Sequence, residues 1–187
     1  AIAGVGNCAS ALVQGVEYYR NAKEKEIVPG LMHVKFGDYH VRDVKFVAAF
    51  DVNKGKIGKD LAEAIWAEPN CCAKFAEVSK IGVEVLPGPI LDGVASHMRE
   101  SFHTYEEKKM KPVDVAEALR EAEADVLVNF IPVGSNRATQ AYAEACLKAK
   151  CALANCIPEF IASDPAWAKR FEKAGLPVAG DDIKSQL

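Results

Sequence analysis

The stretch DVLVNFIPVGSNRATQAYAEACLKAKCALAN, residues 125–155, decides the fold. Asp125–Phe130 is an apolar run of strand length, Ser135–Ala149 has the length and composition of a helix, and Cys151–Asn155 is a second short apolar run. Two such strands joined by one helix lie parallel, because a crossover of this length carries the chain back to the same edge before the next strand begins. The rhythm continues outward in both directions. Val113–Ala122 predicts a helix upstream, Asp164–Ala174 a helix downstream, and Pro177–Gly180 a last strand. Strands alternating with helices in this way imply an α/β architecture, a parallel sheet covered on both faces.

Farther toward the N-terminus the pattern is looser. Residues 1–6 read as the end of a strand running into a glycine turn, and residues 8–22 as a helix with Leu12, Val16 and Tyr19 on one side. Residues 23–43 are polar and broken by Pro29, Gly30 and Gly37, so they are expected to leave the core as an insertion. Lys45–Asp51 is an apolar run closed by an acid, as in a buried parallel strand. A helix is expected over 54–66, a strand over Val83–Leu86 ending at the turn Pro87-Gly88-Pro89, and an exposed polar helix over 94–109. The whole of 1–187 reads as one domain.

Composition narrows the function classes. Half the residues are hydrophobic, 26% are charged, and the net charge is -3 with acids and bases interspersed. That is ordinary globular chemistry, with no basic patch to suggest nucleic acid or an anionic membrane as a partner. No apolar run reaches the roughly 18 residues of a membrane span. The start, Ala1-Ile2-Ala3-Gly4, passes at once into a glycine turn and does not read as a signal peptide. None of the six cysteines forms a CxxC pair, so no metal site is expected, and free thiols in this number fit a reducing cytoplasm. Cys146, Cys151 and Cys156 are expected to be small buried hydrophobes. His33, His40, His97 and His103 lie in polar segments without ligand spacing and are expected at the surface.

The first turn, Gly4-Val5-Gly6-Asn7-Cys8-Ala9-Ser10, supplies two glycines of a dinucleotide fingerprint. Gly4 would permit the tight turn, Gly6 would let backbone approach a pyrophosphate, and the following helix N-terminus would offer free N–H groups. Ala9 stands where the third glycine is usual. Asp51 ends the second strand and fits the acid that accepts the adenosine ribose hydroxyls, about twice as far along as the usual roughly 20 residues. The 23–43 insertion accounts for the excess. Together these features make the sheet a Rossmann-type doubly wound one. An acid with no neighbouring arginine favours NAD over its phosphorylated form. A plain tight turn at Gly4–Gly6 and a helix cap at Asp51 remain the alternatives.

Ligands of such sheets bind beyond the carboxyl ends of the strands. That rule singles out Ile131–Ser135, Asn155–Pro158 and Asp181–Ser185. Ser135 also reads as a helix cap. Two adjacent carboxylates, Asp181 and Asp182, are costly after a buried strand unless one of them meets a cation or hydrogen-bond donors.

Longer blocks are more specific than the glycine turn. Val28–Val52 (VPGLMHVKFGDYHVRDVKFVAAFDV), Gly88–Gly93 (GPILDG), Ile161–Phe171 (IASDPAWAKRF) and Gly180–Gln186 (GDDIKSQ) resemble the myo-inositol-1-phosphate synthase family of the bacterial and archaeal type. The resemblance runs the length of the chain. It implies conversion of glucose 6-phosphate to an inositol phosphate with a tightly held NAD, by oxidation, enolisation, aldol closure and re-reduction. It implies a cytoplasmic homotetramer. Residue by residue, it implies that Gly4, Gly6, Asn7 and Cys8 form the pyrophosphate loop, that Asp51 is the ribose acid, and that Ser135, Asn155 and Ser185 line the cofactor. Asp182 matches the family's active-site aspartate. In that family the chain continues past GDDIKSQ into a second domain carrying catalytic lysines, so these 187 residues are expected to belong to a longer protein and to be inactive alone. An NAD-linked oxidoreductase and a non-catalytic NAD-binding domain remain the competing readings.

Overall fold

The computed structural model describes residues 1–94 and 102–183. Six parallel strands form one sheet: β1 (Ile2–Ala3), β4 (Ala49–Asp51), β5 (Val85–Pro87), β6 (Val126–Asn129), β7 (Ala152–Asn155) and β8 (Val178–Ala179). Their order across the sheet is β5-β4-β1-β6-β7-β8. In chain order that is the third, second, first, fourth, fifth and sixth strand, the doubly wound order expected from the sequence. The direction of winding reverses between β1 and β6, so the loops leaving those two strands diverge and open a crevice between them.

The register explains why the strands are continuously apolar. Ile2 pairs with Ala49, and Ala3 with Phe50, so successive residues face opposite sides. Ile2, Ala49 and Val85 join a core with Val5, Ala9 and Val13 of helix α1 (Asn7–Tyr18) and Leu61 and Ala64 of the short α2 (Leu61–Ala64). Ala3, Phe50, Leu127 and Leu153 join a second core with helices α3 (Val115–Glu121), α4 (Asn136–Ala149) and α5 (Pro165–Ala174). Both faces are covered, and a strand with two covered faces has no polar side. The stripe of α1 that faces the sheet is Ala9, Val13 and Val16, with Leu12 only partly buried and Tyr19 just past the helix end.

Local chemistry sets the helix ends. Asp114 accepts the N–H groups of Ala116 and Glu117 to start α3, and Asp164 those of Ala166 and Trp167 to start α5, with Pro165 in its first turn. Gly175 closes α5 in the left-handed conformation. The helix expected over 54–66 shrinks to Leu61–Ala64, because Gly58 has φ +81° and Asp60 becomes the cap. The expected helix over 94–109 fails where it is described: Thr104 forms an antiparallel bridge to Asn53, and Tyr105 is buried with its hydroxyl on the Gly88 carbonyl. Residues 95–101 of that expectation, including His97, lie outside the described residues.

The 23–43 segment carries its own two-stranded hairpin, β2 (Lys35–Phe36) with β3 (Tyr39–His40). His40 corrects the surface-histidine expectation. It is buried, its Nδ1 accepts the Arg42 N–H, and its Nε2 lies 2.9 Å from the Ala22 carbonyl. A histidine ring that caps a 3-10 turn (Val41–Asp43) is structural. His33 and His103 are exposed, as expected. The thiols divide similarly. Cys146, Cys151 and Cys156 are buried, but Cys71 is exposed. No group of three or more metal-binding side chains occurs among the described residues, and no helix there is long and apolar enough to cross a membrane.

Candidate functional site

Strand β1 ends at Ala3, and the chain turns at Gly4 with φ +86°. A Cβ at Gly4 would stand 2.8 Å from the Ile131 nitrogen and 2.9 Å from the Phe130 carbonyl carbon, so packing against the β6 loop demands glycine there. Gly6 differs. Its φ of -101° suits any residue, and a Cβ there would meet nothing within 4 Å. Among the described residues nothing gives a reason for glycine at 6.

Helix α1 starts at once from Gly6, which supplies no side-chain cap, and its first turn holds no acid. Among the described residues, its leading N–H groups and the positive end of its dipole thus receive no side-chain cap. Asn7 is held to one side: it accepts the Cys71 N–H at 2.9 Å and donates to the Cys71 sulfur at 3.1 Å. Cys8 follows in the first turn, half-buried.

Asp51 closes β4 beside this loop. It is 8% exposed. One carboxylate oxygen accepts the Val5 N–H at 2.7 Å and the other the Asn53 N–H at 2.7 Å. Burial pushes its pKa up, while those N–H groups and the nearby Lys56 ammonium pull it down, with burial the stronger. Each oxygen still has a second lone pair, so the hydrogen bonds to Val5 and Asn53 leave acceptor capacity. Gly4, Gly6, Asp51, Val52, Ile90 and Leu91 are among the residues that line one pocket, with Lys56 and Ser135 at its wall.

The expected sites farther along the edge fall into two groups. Ser135 is fully buried at the start of α4, and its hydroxyl donates to the Pro132 carbonyl rather than capping the helix. The cap comes from Asp92, which accepts the Arg137 N–H at 2.7 Å and the Ala138 N–H at 3.0 Å. Asn155 is also fully buried, and it belongs to a polar ladder across β6, β7 and the loop after β8. Its Oδ1 accepts from Asn129 Nδ2 at 2.9 Å, and its Nδ2 donates to Asp181 at 2.7 Å and to the Glu159 carbonyl at 2.6 Å.

Asp181 resolves the puzzle of adjacent acids. Besides Asn155 it accepts the N–H groups of Ile161, Ala162 and Ser163 at 3.0–3.1 Å. Burial works against its ionisation, but these donors outweigh it and hold the carboxyl below the usual range. Gly180 permits this approach, since a Cβ there would lie 2.6 Å from the Asn155 carbonyl oxygen and φ is +148°. Asp182 follows with φ +61°, its N–H on the Ile157 carbonyl and one carboxylate oxygen buried. Lys184 and Ser185 lie outside the described residues.

Sequence reasoning missed Lys56, Asp92 and Asn129. Asn129 was legible in principle, because it pairs in register with Asn155 at the end of the adjacent strand. Asp92 was in the quoted GPILDG block, but nothing local links it to a helix more than forty residues on.

No family model matches the chain. Curated relatives do. It is 59% identical over all 187 residues to the inositol-3-phosphate synthase of Corynebacterium glutamicum and 58% identical to that of Mycolicibacterium smegmatis, covering 51% of each. The chain thus spans about half the length of the curated relatives it matches. Among solved structures, 97% of the chain superposes on that of Ari2 with a TM-score of 0.80 at 38% identity, covering 51% of it. A myo-inositol-1-phosphate synthase-related protein from Thermotoga maritima gives a TM-score of 0.65 at 25% identity.

Proposed function

Since the chain belongs to the inositol-3-phosphate synthase family and spans about half the length of its curated relatives, we propose that it is the NAD-holding half of such an enzyme, acting on glucose 6-phosphate. The observation that carries the cofactor is Gly6, a glycine that no contact among the described residues requires, at the start of a helix without a side-chain cap. A diphosphate fits there: backbone N–H groups and the helix dipole attract it, and a missing Cβ lets it approach.

In this reading Gly4 sets the turn, and Gly6, Asn7 and Cys8 present their backbone to the diphosphate. Asp51 accepts the ribose hydroxyls while remaining bonded to Val5. Its negative charge repels a 2′-phosphate, which selects NAD. When bound, NAD would supply a reversible hydride acceptor for carbon 5 of the open-chain sugar. The ladder Asn129–Asn155–Asp181 holds the β8 loop against β7 and so positions Asp182 at the carboxyl edge, where it orients a proton-carrying group. Ser135, in the wall of the same pocket, lines the cofactor as well, while Ser185 lies outside the described residues. One domain, a homotetramer and a cytoplasmic location belong to the same reading.

The test is incubation of the purified protein with glucose 6-phosphate and catalytic NAD. Inositol phosphate without net NADH supports the synthase. An oxidised sugar with stoichiometric NADH contradicts it and favours an NAD-linked dehydrogenase. Bound NAD with no product assigns these residues to cofactor holding alone, a reading that the half-length match favours.

A further inference from the structure

Lys56 is among the most completely buried side chains of the protein, 1% exposed, although lysine is ordinarily kept in water. Its ammonium donates to the Val5 carbonyl at 2.5 Å. Val5 is the residue between Gly4 and Gly6, and its N–H donates to Asp51 Oδ2. The backbone of one loop residue is thus gripped from both ends, by a buried anion at its nitrogen and a buried cation at its oxygen. All three residues line the pocket beside the glycine turn.

We propose that Lys56 is a positioning residue for the dinucleotide: it fixes the Val5 peptide of the glycine loop and places a positive charge beside Asp51, the acceptor for the ribose. The inference rests on the NAD reading above and adds a residue to it. Three observations support it together. The ammonium's bond to Val5 aims the loop, and an apolar side chain could not make it. The Lys56 charge adds to the N–H groups of Val5, Val52 and Asn53 in opposing the burial that raises the Asp51 pKa. The cation in turn is held by Asp51, which counters the burial that lowers the lysine's own pKa. Among the described residues, the other titratable groups that act on the pair are Tyr142 of α4, which senses Asp51, and Lys59, which acts on Lys56 from the same loop. Tyr142 stays neutral, because burial drives its hydroxyl pKa far up.

The experiment compares wild type, Lys56→Met and Lys56→Arg in the purified protein. NAD affinity is measured by calorimetry from pH 6 to 9, and the Asp51 carboxyl is followed by carbon NMR in parallel. The expected result for Lys56→Met is a Kd about tenfold higher at neutral pH. Its Asp51 midpoint moves up, so affinity falls more steeply than in wild type as the solution is acidified. Lys56→Arg recovers most of the affinity and the wild-type midpoint, because the charge is restored. A folded Lys56→Met with an unmoved Asp51 midpoint and unchanged NAD affinity overturns the proposal. So does equal loss in Lys56→Arg and Lys56→Met, which would mean that only the shape of the lysine mattered. A wild type that binds no NAD sinks the cofactor reading instead, and the Asp51 midpoint still decides what the charge of Lys56 does.

Discussion

Two helices start at the same edge of the sheet, from the neighbouring strands β1 and β6, and they start differently. Helix α4 receives the Asp92 carboxylate on the N–H groups of Arg137 and Ala138. Helix α1 starts from Gly6 with no side-chain cap and no acid in its first turn. Both carry the same unsatisfied N–H groups and the same dipole. At α4 the protein has filled the anion position from its own loop. At α1 it has kept glycine and left the position open. The difference separates a helix end closed by a carboxylate from one without a side-chain cap, which the proposed function reads as the ligand's place, and the dipole alone would not tell them apart.

Gly4→Ala probes the framework of the open end most severely. The added methyl meets the Phe130 and Ile131 backbone at under 3 Å in a left-handed conformation, so unfolding free energy should fall by about 3 kcal/mol. A denaturant melt measures it, and an unchanged midpoint would break the account of the turn. Asp51→Ala should fold, yet raise the Kd for NAD roughly tenfold, about 1.4 kcal/mol. Unchanged affinity in a folded variant would remove Asp51 from the ribose site. Asp92→Ala acts on the closed end and should lower stability by about 1 kcal/mol, with NAD affinity within about twofold of wild type. A large loss of binding would erase the distinction between the two helices.

The smallest effect concerns the far end of the edge. Asp181 has its pKa lowered by donors that outweigh its burial. A depressed carboxyl adds stability that is present above the unfolded value near 4 and is lost as pH falls through the lower folded value. Stability of wild type should therefore drop in acid more steeply than that of Asp181→Asn. Parallel acid limbs would mean that the backbone cluster around Asp181 contributes nothing.

The strand order was legible because it follows from periodicity and connection length. The second half of the chain reads cleanly, since its helices carry Asp caps and its strands are short apolar runs. The region 54–66 does not, because Gly58 and the cap at Asp60 break a pattern whose apolar spacing alone suggests a helix. At the candidate site, the tight turn at Gly4 and the closeness of Asp51 to it were readable from the spacing of the glycines and the acid. Lys56 and Asp92 were not. Each acts through a backbone group distant in sequence, and only the fold brings Val5 to Lys56 or residue 92 to the start of α4. His40 was misread for the converse reason: its polar neighbours suggest solvent, but its ring is buried between the Arg42 N–H and the Ala22 carbonyl.

The comparison of the two helix ends is tested most directly by following backbone amide resonances during titration with NAD. The account predicts large shifts at Gly6–Ser10 and at Asp51–Asn53, with much smaller ones at Asn136–Thr139, whose donors Asp92 already occupies. Shifts concentrated at the start of α4, or a saturating titration that leaves Gly6–Ser10 unmoved, would contradict it.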